Sequence, residues 1–164
     1  MNIKAFYEKW REIILYLVFG VLTTVVGIGT YSLIFWGAEH LIRLDLADKT
    51  SAVYLAVYTA AQVIQWIAAV LFAFFTNKKW VFTDARREPF LRQLAVFAGG
   101  RVLTLGLDVV ITYLGVIAFA AILPNAVLDL GFVRFSAEFL AKIVASAVVI
   151  VANYVISKLF VFKK

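Results

Sequence analysis

Apolar residues dominate four stretches of the chain, near positions 13–38, 52–76, 93–122 and 136–158. Each stretch is long enough to cross the ~30 Å hydrocarbon core of a bilayer, which takes about 20 residues of helix. Residues within the stretches do not alternate between apolar and polar, as the strands of a membrane barrel would. The pattern therefore predicts an all-α, polytopic membrane protein with four transmembrane helices.

A short cluster recurs at the ends of the second and fourth stretches, as TNKKWVF over 76–82 and ISKLFVF over 156–162. The two copies are 80 residues apart. Repetition at a fixed offset within a hydrophobic chain is typical of transport proteins built from duplicated units. We predict a single transmembrane domain over 1–164 that contains two two-helix repeats, one at about 13–82 and one at about 93–162.

The same offset relates Gly20 to Gly100 and Thr24 to Thr104. Small residues one turn apart let two membrane helices approach closely, so we expect these pairs to lie at helix contacts in both repeats. Chance occurrence of small residues in a membrane helix is the alternative.

Composition agrees with a membrane protein and gives little support to catalysis. Hydrophobic residues make up 64% and charged residues 16%, with a mean hydropathy of +0.95, whereas charge in soluble domains is about a quarter. The absence of cysteine excludes thiolate chemistry and Cys metal ligands. The single histidine, His40, is expected at the outer end of the first helix, which leaves no His-metal cluster and no His-based triad. No phosphate-binding glycine loop is present. We expect no enzyme activity, no cofactor and no metal site.

The net charge of +6 is distributed unevenly. Basic residues concentrate before the first stretch, between the second and third, and after the fourth; they are Lys4, Lys9, Arg11, Lys78, Lys79, Arg86, Arg87, Arg92, Lys158, Lys163 and Lys164. By the positive-inside rule both termini are cytoplasmic, so the two repeats are parallel. Orientation in the cell inner (plasma) membrane accounts for the charge better than a nucleic-acid partner does.

Three charged residues lie well inside the apolar stretches, away from their ends: Arg101, Asp108 and Lys142. Asp108 lies two turns beyond Arg101 on the same helical face, about 10 Å deeper, and Lys142 on the returning helix is expected at the depth of Asp108. An ionised group in the bilayer is costly unless it has a partner or a function. A structural Asp108–Lys142 pair, competition from Glu138 for Lys142, and snorkelling of Arg101 remain alternatives to ligand binding.

Neutral polar side chains within the apolar stretches add to these three charged residues. Asn153 is expected near the level of Arg101, and its counterpart in the first repeat is Ala73. Gln62 and Gln65 add amides to the second span, where Gln62 occupies the position equivalent to Lys142. Polar residues of the two repeats therefore differ, since the charged ones all belong to the second.

Lys78 and Lys158 in the repeated clusters have two interpretations. Beside Trp80 and Phe160 they fit an interfacial anchor with positive flanks. Lysine ammonium groups at the inner surface also attract anionic headgroups.

These residues resemble the GtrA-like family of small four-helix membrane proteins over essentially the whole chain. The resemblance rests on Arg101 and Asp108, on Ala141-Lys142, on the motif N-Y-x-x-S-K-x-F-V-F that begins at Asn153, and on NKKWVF over 77–82. It implies a role in cell-surface polysaccharide or teichoic-acid glycosylation, in which a polyprenyl-phosphate-linked sugar moves from the cytoplasmic to the outer leaflet. The implied partners are that lipid and membrane-associated glycosyltransferases.

The resulting hypothesis is a flippase for a polyprenyl-phosphate monosaccharide. It assigns phosphate binding to Arg101, Lys142, Lys78 and Lys158, and the sugar or polar path to Asp108, Asn153, Gln62 and Asn77. One alternative is a non-transporting scaffold that recruits a glycosyltransferase, and another is a proton-coupled exchanger that depends on Asp108. Four helices make a thin wall around a headgroup, which is compatible with a homo-oligomer.

Overall fold

The computed structural model of the chain describes residues 3–45, 48–85, 88–122, 128–129 and 134–163. Four helices in these segments are long and apolar enough to cross a membrane. The predicted all-α membrane fold with four spans is therefore confirmed.

The elements follow one another in a simple order. The α-helices are α1 (Ile3–Leu41), α2 (Ala52–Thr76), α3 (Phe90–Ile122) and α4 (Ala137–Ile156). A first π-helix (Asn77–Val81) follows α2, and a second π-helix (Ser157–Val161) follows α4. Two two-residue strands, β1 (Leu128–Asp129) and β2 (Arg134–Phe135), pair antiparallel between α3 and α4, a small addition to the all-α prediction.

The chain divides into two compact units. Unit 1, Met1–Ala85, holds α1, α2 and the first π-helix, and unit 2, Arg86–Lys164, holds α3, the strands, α4 and the second π-helix. Within each unit, two long helices pack against each other and the π-helix packs against both.

α1 is longer than the apolar pattern predicts. It runs unbroken through the first polar residues, and at 1.5 Å per residue its 39 residues extend about 58 Å. Hydropathy detects only the lipid-embedded part, whereas Glu8, Lys9 and Arg11 are good helix formers that continue the same helix into the interface. α3 begins directly after Pro89, ahead of the apolar stretch at 93–122, and the Pro89 carbonyl accepts from the Gln93 backbone amide at 3.1 Å.

Side-chain caps determine where two of the helices begin. The Ser51 hydroxyl accepts from the Tyr54 amide before α2, and the Ser136 hydroxyl accepts from the Phe139 amide before α4. In the turn before α2, the hydroxyl and amide of Thr50 both donate to Asp48, which lowers the pKa of that carboxyl.

The two π-helices have the same hydrogen bonds. Phe82 donates to the Asn77 carbonyl and Phe162 to the Ser157 carbonyl, both at 2.8 Å. The wider π turn rotates the residues that follow it, so Phe82 and Phe162 are buried against their own units. The apolar pattern did not predict this change of helix type, although it lies within the repeated cluster.

Three of the basic residues counted towards orientation, Arg86, Arg87 and Lys164, lie outside the described residues.

Candidate functional site

The seam between α3 and α4 of unit 2 is held closed near both ends by glycines. A Cβ on Gly100 would lie 2.8 Å from the Ile156 Cγ2, and one on Gly115 would lie 2.9 Å from the Ala141 Cβ. Ala141 is fully buried. The two backbones therefore approach closely over about 22 Å of helix, which is the distance from Gly100 to Gly115.

Asp108 and Lys142 form an ion pair inside this seam. The predicted match in depth is therefore correct, and no ion pair joins Lys142 to Glu138 within the described residues. The Asp108 side chain is 19% exposed and that of Lys142 is 55% exposed. An ammonium has three N–H donors, and Asp108 is the one hydrogen-bond acceptor for Lys142 among the described residues. Lys142 thus keeps donors for a second anionic oxygen.

A second polar contact crosses the seam one turn nearer the start of α3. The Thr104 hydroxyl donates to the Asn153 side-chain oxygen at 2.9 Å, and both residues are buried. Sequence reasoning treated Thr104 as a packing residue and missed this role. Its spacing from Arg101 and Asp108, three residues after one and four before the other, puts it on their face and was the available signal.

Arg101 lies on the same face at the cluster-bearing end of the seam. Its guanidinium stacks over the Phe97 ring, 5.0 Å from the ring centre. No described residue accepts a hydrogen bond from it, and Asn153, expected at its level, bonds to Thr104 instead. A partly exposed arginine with five donors and no anionic partner is suited to a phosphate.

In unit 1 the seam lies between α1 and α2. It carries uncharged polar groups, whereas the seam of unit 2 carries charged ones. The Gln62 side-chain amide donates to the Tyr58 hydroxyl at 3.0 Å, and the Gln65 side-chain amide donates to the side-chain oxygen of Gln62 at 3.1 Å. We call Tyr58, Gln62 and Gln65 the tyrosine–glutamine chain. Gly27 of α1 makes room for it, because a Cβ there would lie 2.9 Å from the Gln65 Oε1.

Close packing in unit 1 therefore differs from the prediction. A Cβ on Gly20 would meet no atom within 4 Å, and the Thr24 hydroxyl returns to the Gly20 carbonyl of its own helix. The prediction was wrong for Gly20 and correct for Gly100. The close helix contact therefore does not occur at equivalent positions in the two repeats. In unit 1 the Gln65 side chain packs against α1 at Gly27, so the small residue is needed there and not at Gly20.

The lysines of the repeated clusters lie beside aromatic rings. The Lys158 ammonium donates to the Tyr154 hydroxyl at 2.9 Å, and the Lys78 ammonium lies 5.6 Å from the centre of the Phe74 ring. Trp80 stacks on Phe19 of α1 with ring centres 5.2 Å apart. Both lysines remain partly exposed, and their positions fit an anchor and an anion contact equally well.

Asn77 is buried, as Asn153 is, with 3% of its surface exposed. Its side-chain oxygen has no hydrogen-bond partner in the described residues. It is the first residue of the first π-helix and does not lie on a surface that a headgroup could touch. Among the described residues no three His, Asp or Glu side chains converge in a way that would hold a metal ion.

Known proteins match this chain over most of its length. The chain is 34% identical to the uncharacterized membrane protein YwcD of Bacillus subtilis (strain 168), over 92% of this chain and 95% of that protein. It is 32% identical to the cell wall teichoic acid glycosylation protein GtcA of Listeria monocytogenes serovar 1/2a, over 99% of this chain and 92% of that protein. No solved structure matches significantly. The family model for the GtrA/DPMS transmembrane domain matches residues 15–162, and the chain, a multi-pass membrane protein, belongs to this family.

Proposed function

We propose that this protein moves a polyprenyl-phosphate-linked monosaccharide from the cytoplasmic to the outer leaflet of the plasma membrane. The sugar would then be used to glycosylate a cell-wall polymer. Family membership and relatives named for teichoic acid glycosylation support the general role. In this proposal the protein performs no catalysis; glycosyltransferases on the two sides of the membrane make and consume the lipid.

The polar seam of unit 2 is the observation that carries the proposal. Arg101 has no hydrogen-bond acceptor among the described residues, and Lys142 keeps unused donors beside Asp108. Charged groups in a membrane span cost several kcal/mol unless they are partnered or functional. A lipid phosphate would satisfy each cation in turn as it moves along the seam, whereas the apolar tail would stay in the hydrocarbon.

The charge of the seam favours one class of lipid phosphate. Arg101 and Lys142 contribute two positive charges and Asp108 one negative charge, so the seam has a net charge of +1. A sugar joined through one phosphate is a phosphodiester with a single negative charge, which neutralises this seam. A pyrophosphate-linked sugar carries two negative charges and would leave one uncompensated in a low-dielectric environment.

The remaining residues take roles along the path. Lys78 and Lys158 gather the phosphate at the cytoplasmic surface, to which both termini also belong. Arg101 holds the phosphate, Asn153 supports this part of the seam through its bond to Thr104, and Lys142 receives the phosphate nearer the outer leaflet. Asp108 orients Lys142 and bonds to sugar hydroxyls, and Gln62 contributes to the polar path. Asn77, which is buried, contributes through the position of Lys78.

Transport in liposomes tests this proposal. Purified protein is reconstituted with a fluorescent polyprenyl-phosphate monosaccharide, and arrival in the opposite leaflet is followed with a membrane-impermeant quencher. We expect Arg101→Ala and Lys142→Ala to reduce the rate at least tenfold. Arg92→Ala is the matched control, because Arg92 lies on the same helix but pairs with Glu88 outside the seam at 3.0 Å.

Two results would contradict the proposal. Wild-type rates in both seam variants would remove the assigned roles of Arg101 and Lys142. Absence of transport by the wild type, together with co-purification of a glycosyltransferase that persists in both variants, would favour the scaffold function instead.

A further inference from the structure

The tyrosine–glutamine chain of unit 1 has hydrogen-bonding capacity that the fold does not use. Each glutamine amide has two N–H donors, and Gln62 and Gln65 each donate one bond within the chain. The other N–H of each amide, the hydroxyl hydrogen of Tyr58 and the Gln65 side-chain oxygen have no partner among the described residues.

This unused capacity lies in the membrane-spanning part of α2. Gln62 is ten residues into a helix that begins at Ala52, so it lies about 15 Å from that end. Water is scarce at such depth, and unsatisfied amide groups there are unfavourable. A purely structural seam would be served better by apolar side chains of the same size.

Aromatic rings lie beside these groups. Tyr31 contacts Phe35 with ring centres 4.8 Å apart and meets the Tyr58 ring edge-on at 6.5 Å. Phe35 in turn meets Tyr54 edge-on at 5.8 Å. These aromatic residues are all at least partly exposed, so a ligand could contact them.

The combination of groups favours one chemical class of ligand. Side-chain amides and a phenol bond to neutral hydroxyl groups in both directions, as donors and as acceptors. Aromatic faces pack against the C–H faces of a sugar ring, and recognition sites generally combine apolar rings with a few placed polar groups. None of the residues that form this seam is charged, so it offers no electrostatic attraction to a phosphate.

We infer that the tyrosine–glutamine chain, with the adjoining Tyr31, Phe35 and Tyr54, binds the sugar of the lipid-linked substrate through its hydroxyl groups. This inference rests on the proposed function and deepens it. It assigns to unit 1 a role in recognising the sugar, for which neutral hydrogen-bonding groups and aromatic rings are suited. Gln62 precedes Asn77 by 15 residues, so the sugar contacts lie about 22 Å from the π-helix that carries Lys78.

Binding measurements in lipid nanodiscs test the inference with two lipids of the same prenyl length and charge. One is a polyprenyl phosphate that carries a monosaccharide, tested with glucose, galactose and N-acetylglucosamine. The other is the methyl ester of the same polyprenyl phosphate, which is also a monoanionic phosphodiester but has no sugar. The ratio of the two dissociation constants isolates the contribution of the sugar.

We expect the wild type to bind at least one sugar-bearing lipid more tightly than the methyl ester. Gln62→Leu and Tyr58→Phe should each weaken binding of that lipid about two- to tenfold, the range for one lost hydrogen bond. Binding of the methyl ester should not change. Thr59→Val is the matched control, since the Thr59 hydroxyl bonds to the Leu55 carbonyl of its own helix and should not affect the ratio. Lys142→Ala should weaken binding of both lipids.

The outcomes distinguish this inference from the proposed function. A wild type that prefers the sugar-bearing lipid, with Gln62→Leu and Tyr58→Phe variants that keep the same preference, would overturn the sugar site and leave the proposed function standing. Equal loss of both lipids in these variants would also overturn it, because the chain would then act through packing. A wild type that binds neither lipid would overturn the proposed function and the sugar site together.

Discussion

Substitution of Gly115 by alanine would test whether close packing of α3 on α4 determines the geometry of the polar seam. The added methyl carbon would lie 2.9 Å from the Ala141 Cβ and 3.3 Å from its Cα. Carbon atoms in ordinary contact are about 3.5–4.0 Å apart, so the helices must separate by about 0.6–1 Å. Ala141 precedes Lys142, and this shift would therefore also displace the ammonium from Asp108.

The magnitude follows from two opposing effects. Alanine in place of glycine within a helix stabilises it by about 0.5–1 kcal/mol. Overpacking against a neighbour that cannot move aside costs about 1–3 kcal/mol. Gly106→Ala is the matched control, because a Cβ on Gly106 of the same helix would meet no atom within 4 Å. We therefore expect Gly115→Ala to be about 1–3 kcal/mol less stable than Gly106→Ala.

Circular dichroism at 222 nm during unfolding in detergent micelles is the appropriate assay. Intrinsic tryptophan fluorescence would be unsuitable, because all four tryptophans precede position 81 and belong to unit 1. We also expect Gly115→Ala to transport more slowly than Gly106→Ala. If Gly115→Ala were as stable as Gly106→Ala or more so, the argument from close packing would be refuted.

Three further predictions concern unit 2, with stability measured in the same way. Thr104→Val removes the donor to the buried Asn153 oxygen and should cost about 1 kcal/mol; no loss would mean that Asn153 finds another partner. Lys142→Met leaves the Asp108 carboxylate unpaired and should cost about 1–3 kcal/mol, less than a fully buried pair because Lys142 is partly exposed. A double variant that also carries Asp108→Asn should regain most of the lost stability, and a double variant as unstable as Lys142→Met alone would contradict the pairing. Phe162→Ala, at a side chain 1% exposed, should cost about 3–5 kcal/mol, and a loss below 1 kcal/mol would show that the second π-helix is not anchored there.

Some features of the seam were accessible from the sequence because helix geometry is regular. Asp108 and Lys142 could be assigned the same depth by counting residues along two antiparallel helices, and the structure pairs them. Counting does not reveal rotation about the helix axis or the choice among nearby partners. For this reason Thr104, and not Arg101, is the partner of Asn153.

The differences between the units show a second limit. A repeated offset predicts equivalent backbone positions, and the two π-helices do share their hydrogen bonds. The offset does not predict equivalent contacts, because packing depends on side chains that differ between the repeats. Gln65 brings Gly27 into the contact in unit 1, whereas in unit 2 Ile156 packs against Gly100.

The sequence by itself determined that this is a four-helix membrane protein and which of its polar residues lie within the apolar spans. Both follow from the energy of moving side chains between water and hydrocarbon, which depends on composition over about 20 residues and needs no tertiary contact. Only the tertiary structure decided how these polar groups combine, as an ion pair and a Thr104–Asn153 bond in unit 2 and as the tyrosine–glutamine chain in unit 1. The physical reason is that a hydrogen bond depends on distances of a few tenths of an ångström, which only the packing of one helix against another determines.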